Sequence, residues 1–218
     1  MGAHALQATH PTRVQGRENM TIEKTGLTTT SLGATRPELV VVGPPGAAPQ
    51  PGMPVWPDTP DGIDPEGATF LVIAASSEPE AHDVAQNWMT AAACVAPTRL
   101  LAVGSLADDN NRRAVEQAIA KACTGVRIMV VGGQHDVLLT LAAARTAGAL
   151  PEELSAFVIH TRDLPMYCAH CRDTHRVVGQ PGEIVECPGC RRQVEIHRHC
   201  SATRGSFLAS DAQARTLA

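Results

Sequence analysis

Tyr167-Cys168-Ala169-His170-Cys171 and, after residues 172–186, Cys187-Pro188-Gly189-Cys190 are the stretch from which this chain is best read. Two Cys-x-x-Cys knuckles at this separation have the form of a four-thiolate metal site. A knuckle sets two sulfurs on one tight turn, and a hairpin between knuckles brings up the second pair to complete a tetrahedron. Cys168, Cys171, Cys187 and Cys190 are therefore the expected metal ligands, four of the chain's seven cysteines. Such a closed site has no open coordination position, so it does no Lewis-acid chemistry. Its work is to fold a segment too small to build its own core.

Four thiolates suit zinc or iron. Zinc is the preferred ion. The competing rubredoxin-like iron reading draws on Cys187-Pro188, but Arg172 and Arg191 stand where rubredoxin knuckles carry glycine. His170 and His175 would become ligands only if a cysteine were displaced. His197, His199 and Cys200 form a further polar cluster, yet Val194-Glu195-Ile196-His197 alternates as a ribbon's closing strand should. Arg172, Arg176, Arg191, Arg192, Arg198 and Arg204 make this end arginine-rich. Acidic residues are interspersed, and base-stacking aromatics are nearly absent, so a protein contact fits better than nucleic acid.

Working outward, the chain is 218 residues long, room for a medium domain beside a small metal module. Aromatics are only 3%, so the core must rest on Val, Leu, Ile and Ala. A formal net charge of −4 argues against a whole-chain nucleic-acid or membrane-surface binder. No apolar run is long enough to span a bilayer, and no secretory h-region opens the chain. Paired thiols without such a signal fit a reducing cytoplasm. Cys94 and Cys123 sit in apolar helical patterns and are expected to be buried.

Residues 1–36 lack any sustained period and read as a disordered tail, with Met20 an alternative start. A strand is expected at Leu39–Val42, followed by a Gly43-Pro44-Pro45-Gly46 turn and a proline-rich loop to residue 67 that Trp56 anchors. Beyond it strand and helix alternate: Phe70–Ala74, a helix from a Ser77/Glu80 capping box, Arg99–Val103, a helix from Asp108 or Asp109, Val126–Val131, a helix ending at Gly148, and Ala156–His160. That alternation predicts a Rossmann-like parallel sheet with helices on both faces over residues 37–162, followed by a zinc ribbon over 163–218. His135 and Asp136 fall in a helix's first turn, where a solvated His and an acidic residue are usual. Nucleophile and P-loop motifs are lacking.

Two resemblances follow. Val130-Val131-Gly132-Gly133, the helix to Ala147-Gly148 and Pro151-Glu152-Glu153-Leu154 look like the end of a ferredoxin-reductase-type NAD(P) domain. The pyrophosphate turn of that family is glycine-rich, whereas here the position reads Ala75-Ser76-Ser77-Glu78-Pro79-Glu80, whose carboxylates repel phosphate. The domain is thus expected to be a degenerate, non-binding version. Tyr167–His175, Val178-Gly179, Cys187–Cys190, Val194–His199 and Ser201–Leu208 resemble the small subunit of bacterial dimethylamine monooxygenase.

The second resemblance implies a multi-subunit enzyme that oxidises dimethylamine to methylamine and formaldehyde, within methylamine metabolism. A haem oxygenase subunit would activate O2, and a reductase subunit carrying FMN and an iron–sulfur centre would deliver electrons from NADPH. The present chain would be a cytoplasmic, zinc-binding docking subunit without an active site of its own. The alternatives are a rubredoxin-like electron-transfer subunit and a nucleic-acid-binding ribbon protein.

Overall fold

A computed structural model describes residues 52–214. The expected tail at 1–36 and the expected strand and turn at 39–46 lie outside the described residues. From Thr69 the expected alternation is present: β1 (Thr69–Ala75), α1 (Pro79–Ala93), β2 (Thr98–Val103), α2 (Asp109–Ala120), β3 (Val126–Gly133), α3 (Gln134–Thr146) and β4 (Leu154–His160). A 3-10 turn at Pro151–Glu153 leads into β4. The four strands pair in parallel in the order β2-β1-β3-β4.

β1 explains why both faces of the sheet are covered. Phe70 through Ala75 are all buried, because side chains alternate across the strand and each face meets helices. Phe70, Val72 and Ala74 pack with Ala81, Ala85, Trp88 and Ala92 of α1. Leu71, Ile73 and Ala75 pack with Val115 and Ile119 of α2 and with Val137 and Leu141 of α3. Burying each large aliphatic side chain contributes about 1.5–3 kcal/mol. The result is the expected Rossmann-like α/β fold, helices on both faces.

Three local expectations are corrected. The Ser77/Glu80 capping box does not form. Pro79 occupies the first helical position, which its fixed φ favours, so Glu78 is the N-cap and Ser77 stands one residue too early. Ser76 Oγ instead accepts the Glu78 N–H at 3.0 Å. Cys94 and Cys123 are exposed rather than buried. Cys94 caps the end of α1, off the stripe of Ala81, Ala85, Trp88 and Ala92, and Cys123 lies in the turn before β3. Asp108 does cap α2, accepting the N–H groups of Asn110 and Asn111.

The C-terminal ribbon has five strands: β5 (Asp163–Cys168), β6 (Asp173–Val178), β7 (Ile184–Glu186), β8 (Gln193–Ser201) and β9 (Ser206–Asp211). They assemble in the order β6-β5-β9-β8-β7. β5–β6 and β7–β8 are antiparallel hairpins, and β9 joins them, parallel to β5 and antiparallel to β8. Val194 and Ile196 are buried and Glu195 and His197 are not, the expected alternation. The inner face collects Leu164, Met166, Val177, Phe207 and Ala209 around the knuckle cysteines.

Helix α3 carries the ribbon. Leu138 packs into the ribbon's core, although its helix neighbours Val137 and Leu141 belong to the α/β core. Trp56 packs against both cores and donates its Nε1–H to Gln134 Oε1 at 3.1 Å, the anchoring role expected of it. The turn before β9 rests on the same helix. Gly205 has φ +63°, and a Cβ there would strike the Leu138 carbonyl oxygen and approach Ala142 Cβ to 2.9 Å. Gly205→Ala should therefore cost about 2–4 kcal/mol, from left-handed strain plus overpacking. Urea denaturation of the full chain checks this, and an unchanged midpoint would show that the turn does not seat on α3.

Candidate metal centre

Each knuckle is built by the end of a strand and the turn after it. Cys168 ends β5 and Cys171 follows in the turn to β6, while Cys187 follows β7 and Cys190 precedes β8. Both turns close alike, the Arg172 N–H donating to the Cys168 carbonyl and the Arg191 N–H to the Cys187 carbonyl, each at 2.8 Å. Arg172 and Arg191 both adopt left-handed backbone, φ 61° and 58°.

Hydrogen bonds to sulfur repeat in the same way. Cys168 Sγ accepts from the N–H groups of Cys171 and His170, and Cys187 Sγ from those of Cys190 and Gly189. Cys171 Sγ accepts from the N–H of Asp173, and Cys190 Sγ from that of Arg192. The two knuckles are copies of one motif.

The four sulfurs all lie within 4.8 Å of one another. Cys168 and Cys190 are 3.8 Å apart, Cys171 and Cys187 3.7 Å. A tetrahedron with metal–sulfur bonds of about 2.3 Å has edges of roughly 3.8 Å. The donor set and its spacing thus fit a metal ion such as zinc. Cys168 and Cys187 are buried and Cys171 and Cys190 half-buried, so the cluster is shielded without being sealed.

The ionisation of the four thiols is divided. Burial pushes Cys187 up to about 12 despite the N–H groups aimed at it. Cys171 is raised as well, first by burial and then by Cys168. At Cys168 the hydrogen bonds from Cys171 and His170 outweigh burial and the shift is downward. Cys190 is also lowered, chiefly by the Arg192 N–H. Four adjacent thiolates repel one another, so full ionisation requires a cation among them.

The two histidines weighed as ligands stand beside the sulfurs. His175 Nε2 lies 3.3 Å from Cys171 Sγ, a hydrogen-bond distance. His170 hydrogen-bonds Cys190 and favours its thiolate. Such outer partners orient the ligating groups and tune a site. Gly189 makes room for one of them, since a Cβ there would sit 2.6 Å from His175 Nε2. His197, by contrast, faces Ser210 Oγ at 2.7 Å, His199 packs beside Gly52, and Cys200 lies near Arg145, all apart from the cluster.

Residues 165–209 match the family described as dimethylamine monooxygenase subunit DmmA-like, C-terminal domain. That segment holds all four cysteines and the strands that place them. No curated protein and no solved structure matches the chain. Among the described residues no helix is long and apolar enough to cross a membrane.

The crevice where strand order reverses, between the C-terminal ends of β1 and β3, is where open α/β sheets bind ligands. Here it is furnished with protein. Glu78 pairs with Arg162, and His160 Nε2 lies 3.2 Å from Glu78 Oε1. The His160 ring also presses on Gly133, where a Cβ would meet its Cε1 at 2.5 Å. Gly132 approaches the Ala75 carbonyl so closely that a Cβ would lie 2.5 Å from its oxygen. These glycines serve close packing, as expected of a strand-to-helix turn.

His135 and Asp136 correct a further expectation. They are 3% and 4% exposed, not solvated. One Asp136 oxygen accepts from Leu106 N–H (2.7 Å), His135 Nδ1–H (2.9 Å) and Ser105 Oγ (3.0 Å). Ser105 Oγ also accepts from Arg176 of the ribbon at 2.8 Å, and Arg176 pairs with Asp163. No local pattern in the sequence announces this network, because its members come from four separate places in the chain: residues 105–106, 135–136, 163 and 176.

Burial pushes the Asp136 carboxyl up, but the hydrogen bonds from His135, Leu106 and Ser105 outweigh it and hold its pKa below the usual value. A depressed folded pKa gives stability that is complete above the unfolded value of about 3.9 and lost as pH falls through the folded one. Asp136→Asn should lower stability near neutral pH by about 1.5–3 kcal/mol, the usual loss of hydrogen bonds to a charge. The gap between the two proteins should narrow below about pH 4. Urea titrations across pH check this, and a gap that stays constant to the acid limit would contradict it.

Proposed function

We propose that this chain is a non-catalytic, zinc-binding docking subunit of a dimethylamine-monooxygenase-type complex, with Cys168, Cys171, Cys187 and Cys190 as the zinc ligands. The observation that carries the reading is that the segment matching the family is also the one that gathers four cysteine sulfurs within 4.8 Å of one another. Such a set has every position filled by protein, so it shapes a surface and leaves chemistry to others. The oxidative demethylation of dimethylamine then belongs to a haem oxygenase subunit, fed with NADPH electrons by a reductase subunit carrying FMN and iron–sulfur. The ribbon holds the two in register, and the whole assembly works in the cytoplasm. The α/β domain, residues 37–162, presents the ribbon, residues 163–218, on α3.

The knuckle geometry would also accept iron, and an iron-loaded chain would carry electrons itself. Metal analysis separates the two: about one colourless zinc per chain supports the docking reading, and iron with a thiolate charge-transfer colour contradicts it. Co-expressed with the two larger subunits, the chain is expected to co-purify with both. Cys187→Ser should release the metal and dissolve the complex. A fully coupled two-subunit enzyme assembled without this chain would overturn the proposal.

A further inference from the structure

Left-handed backbone costs a residue with a side chain roughly 1–2 kcal/mol, and glycine escapes that cost. Among the described residues, Gly52, Gly125, Gly148, Gly182 and Gly205 take positive φ, as this rule expects. The only described residues other than glycine that do so are Arg172 and Arg191. They are the same residue type at equivalent positions, each directly after the second cysteine of its knuckle. Local turn chemistry asks for glycine twice and receives arginine twice. Strain kept at a repeated position signals a use for the side chain.

Arg172 and Arg191 are exposed. Of the other ribbon arginines, Arg176 pairs with Asp163, Arg192 with Asp211, and Arg204 lies 4.2 Å over the Tyr167 ring. Arg198 lies against Gly182. For the guanidinium groups of Arg172 and Arg191, no hydrogen bond or ion pair occurs with any described residue. The cysteines preceding them are held within one cluster of four sulfurs, so a filled metal site fixes both arginine backbones relative to each other.

We infer that Arg172 and Arg191 form a two-pronged contact for carboxylates on the surface of a partner protein. The planar guanidinium fork binds a carboxylate in bidentate fashion, which a lysine cannot do. Nucleic acid fits less well: the chain is net acidic at −4, and the ribbon's tyrosine is already covered by Arg204. This inference rests on the docking role proposed above and assigns it to two residues. Metal and contact are thereby linked, since loss of the ion frees both knuckle turns.

The decisive variant is Arg172→Gly/Arg191→Gly in the full chain, co-expressed with the haem and reductase subunits. Glycine relieves the strain, so the melting temperature should stay level or rise, and zinc content should match wild type. Affinity for the partner subunit should nevertheless fall by about tenfold or more, and wild-type affinity should weaken as salt rises. Equal binding by the variant and wild type would overturn the inference while leaving the docking role intact. Loss of zinc in the variant would also overturn it, by showing that the arginines balance the charge of the metal site. Wild type that binds neither subunit would remove the docking role and the inference together. Salt-sensitive binding of a single-stranded oligonucleotide, abolished in the variant, would replace the protein partner with a nucleic acid.

Discussion

Four sulfur atoms held within 4.8 Å of one another impose the constraint to which the ribbon conforms. As thiolates they repel, and the burial of two of them disfavours the charged form further. A cation resolves the conflict, and the backbone prepares for it by aiming N–H groups at every sulfur. The duplicated knuckles set that geometry, and the strands follow from it. β5–β6 and β7–β8 are the hairpins that extend from the two turns, and β9 is the seam that joins them. Only a modest apolar layer of Leu164, Met166, Val194, Ile196 and Phe207 lies beneath.

The α/β unit is stabilised differently, through a continuous aliphatic core on both faces of β1 and β3. The two meet along α3, which buries Val137 and Leu141 inward and Leu138 toward the ribbon. A polar chain from Asp136 through Ser105 and Arg176 to Asp163 crosses the same boundary. At the strand-order reversal Glu78 pairs with both His160 and Arg162, within the α/β unit.

Much of this was legible in the sequence, for identifiable reasons. The knuckles could be read because metal chemistry demands fixed spacing, and the strands and helices of the α/β domain because burial demands periodicity. What escaped depended on contacts between distant segments. β9 follows the strand that reads as the ribbon's closing one, and its place at the centre of the sheet comes from pairing with β5 and β8. His135 and Asp136 look like a solvated helix start until the loop at Ser105 and Leu106 closes over them. Ser77 stands at capping-box spacing from Glu80, but the fixed φ of Pro79 sets the helix start one residue later. Cys94 and Cys123 lay within apolar runs yet off the buried stripe, a distinction that requires the helix boundaries to be known.

The claim that a closed four-thiolate ion shapes this ribbon is tested most directly by X-ray absorption at the zinc edge on the purified full chain. Four sulfur scatterers at about 2.3 Å, with no nitrogen or oxygen neighbour, are expected. A mixed shell that includes histidine nitrogen or water oxygen would contradict the account. It would mean that His170 or His175 has displaced a cysteine, or that a coordination position is open for chemistry.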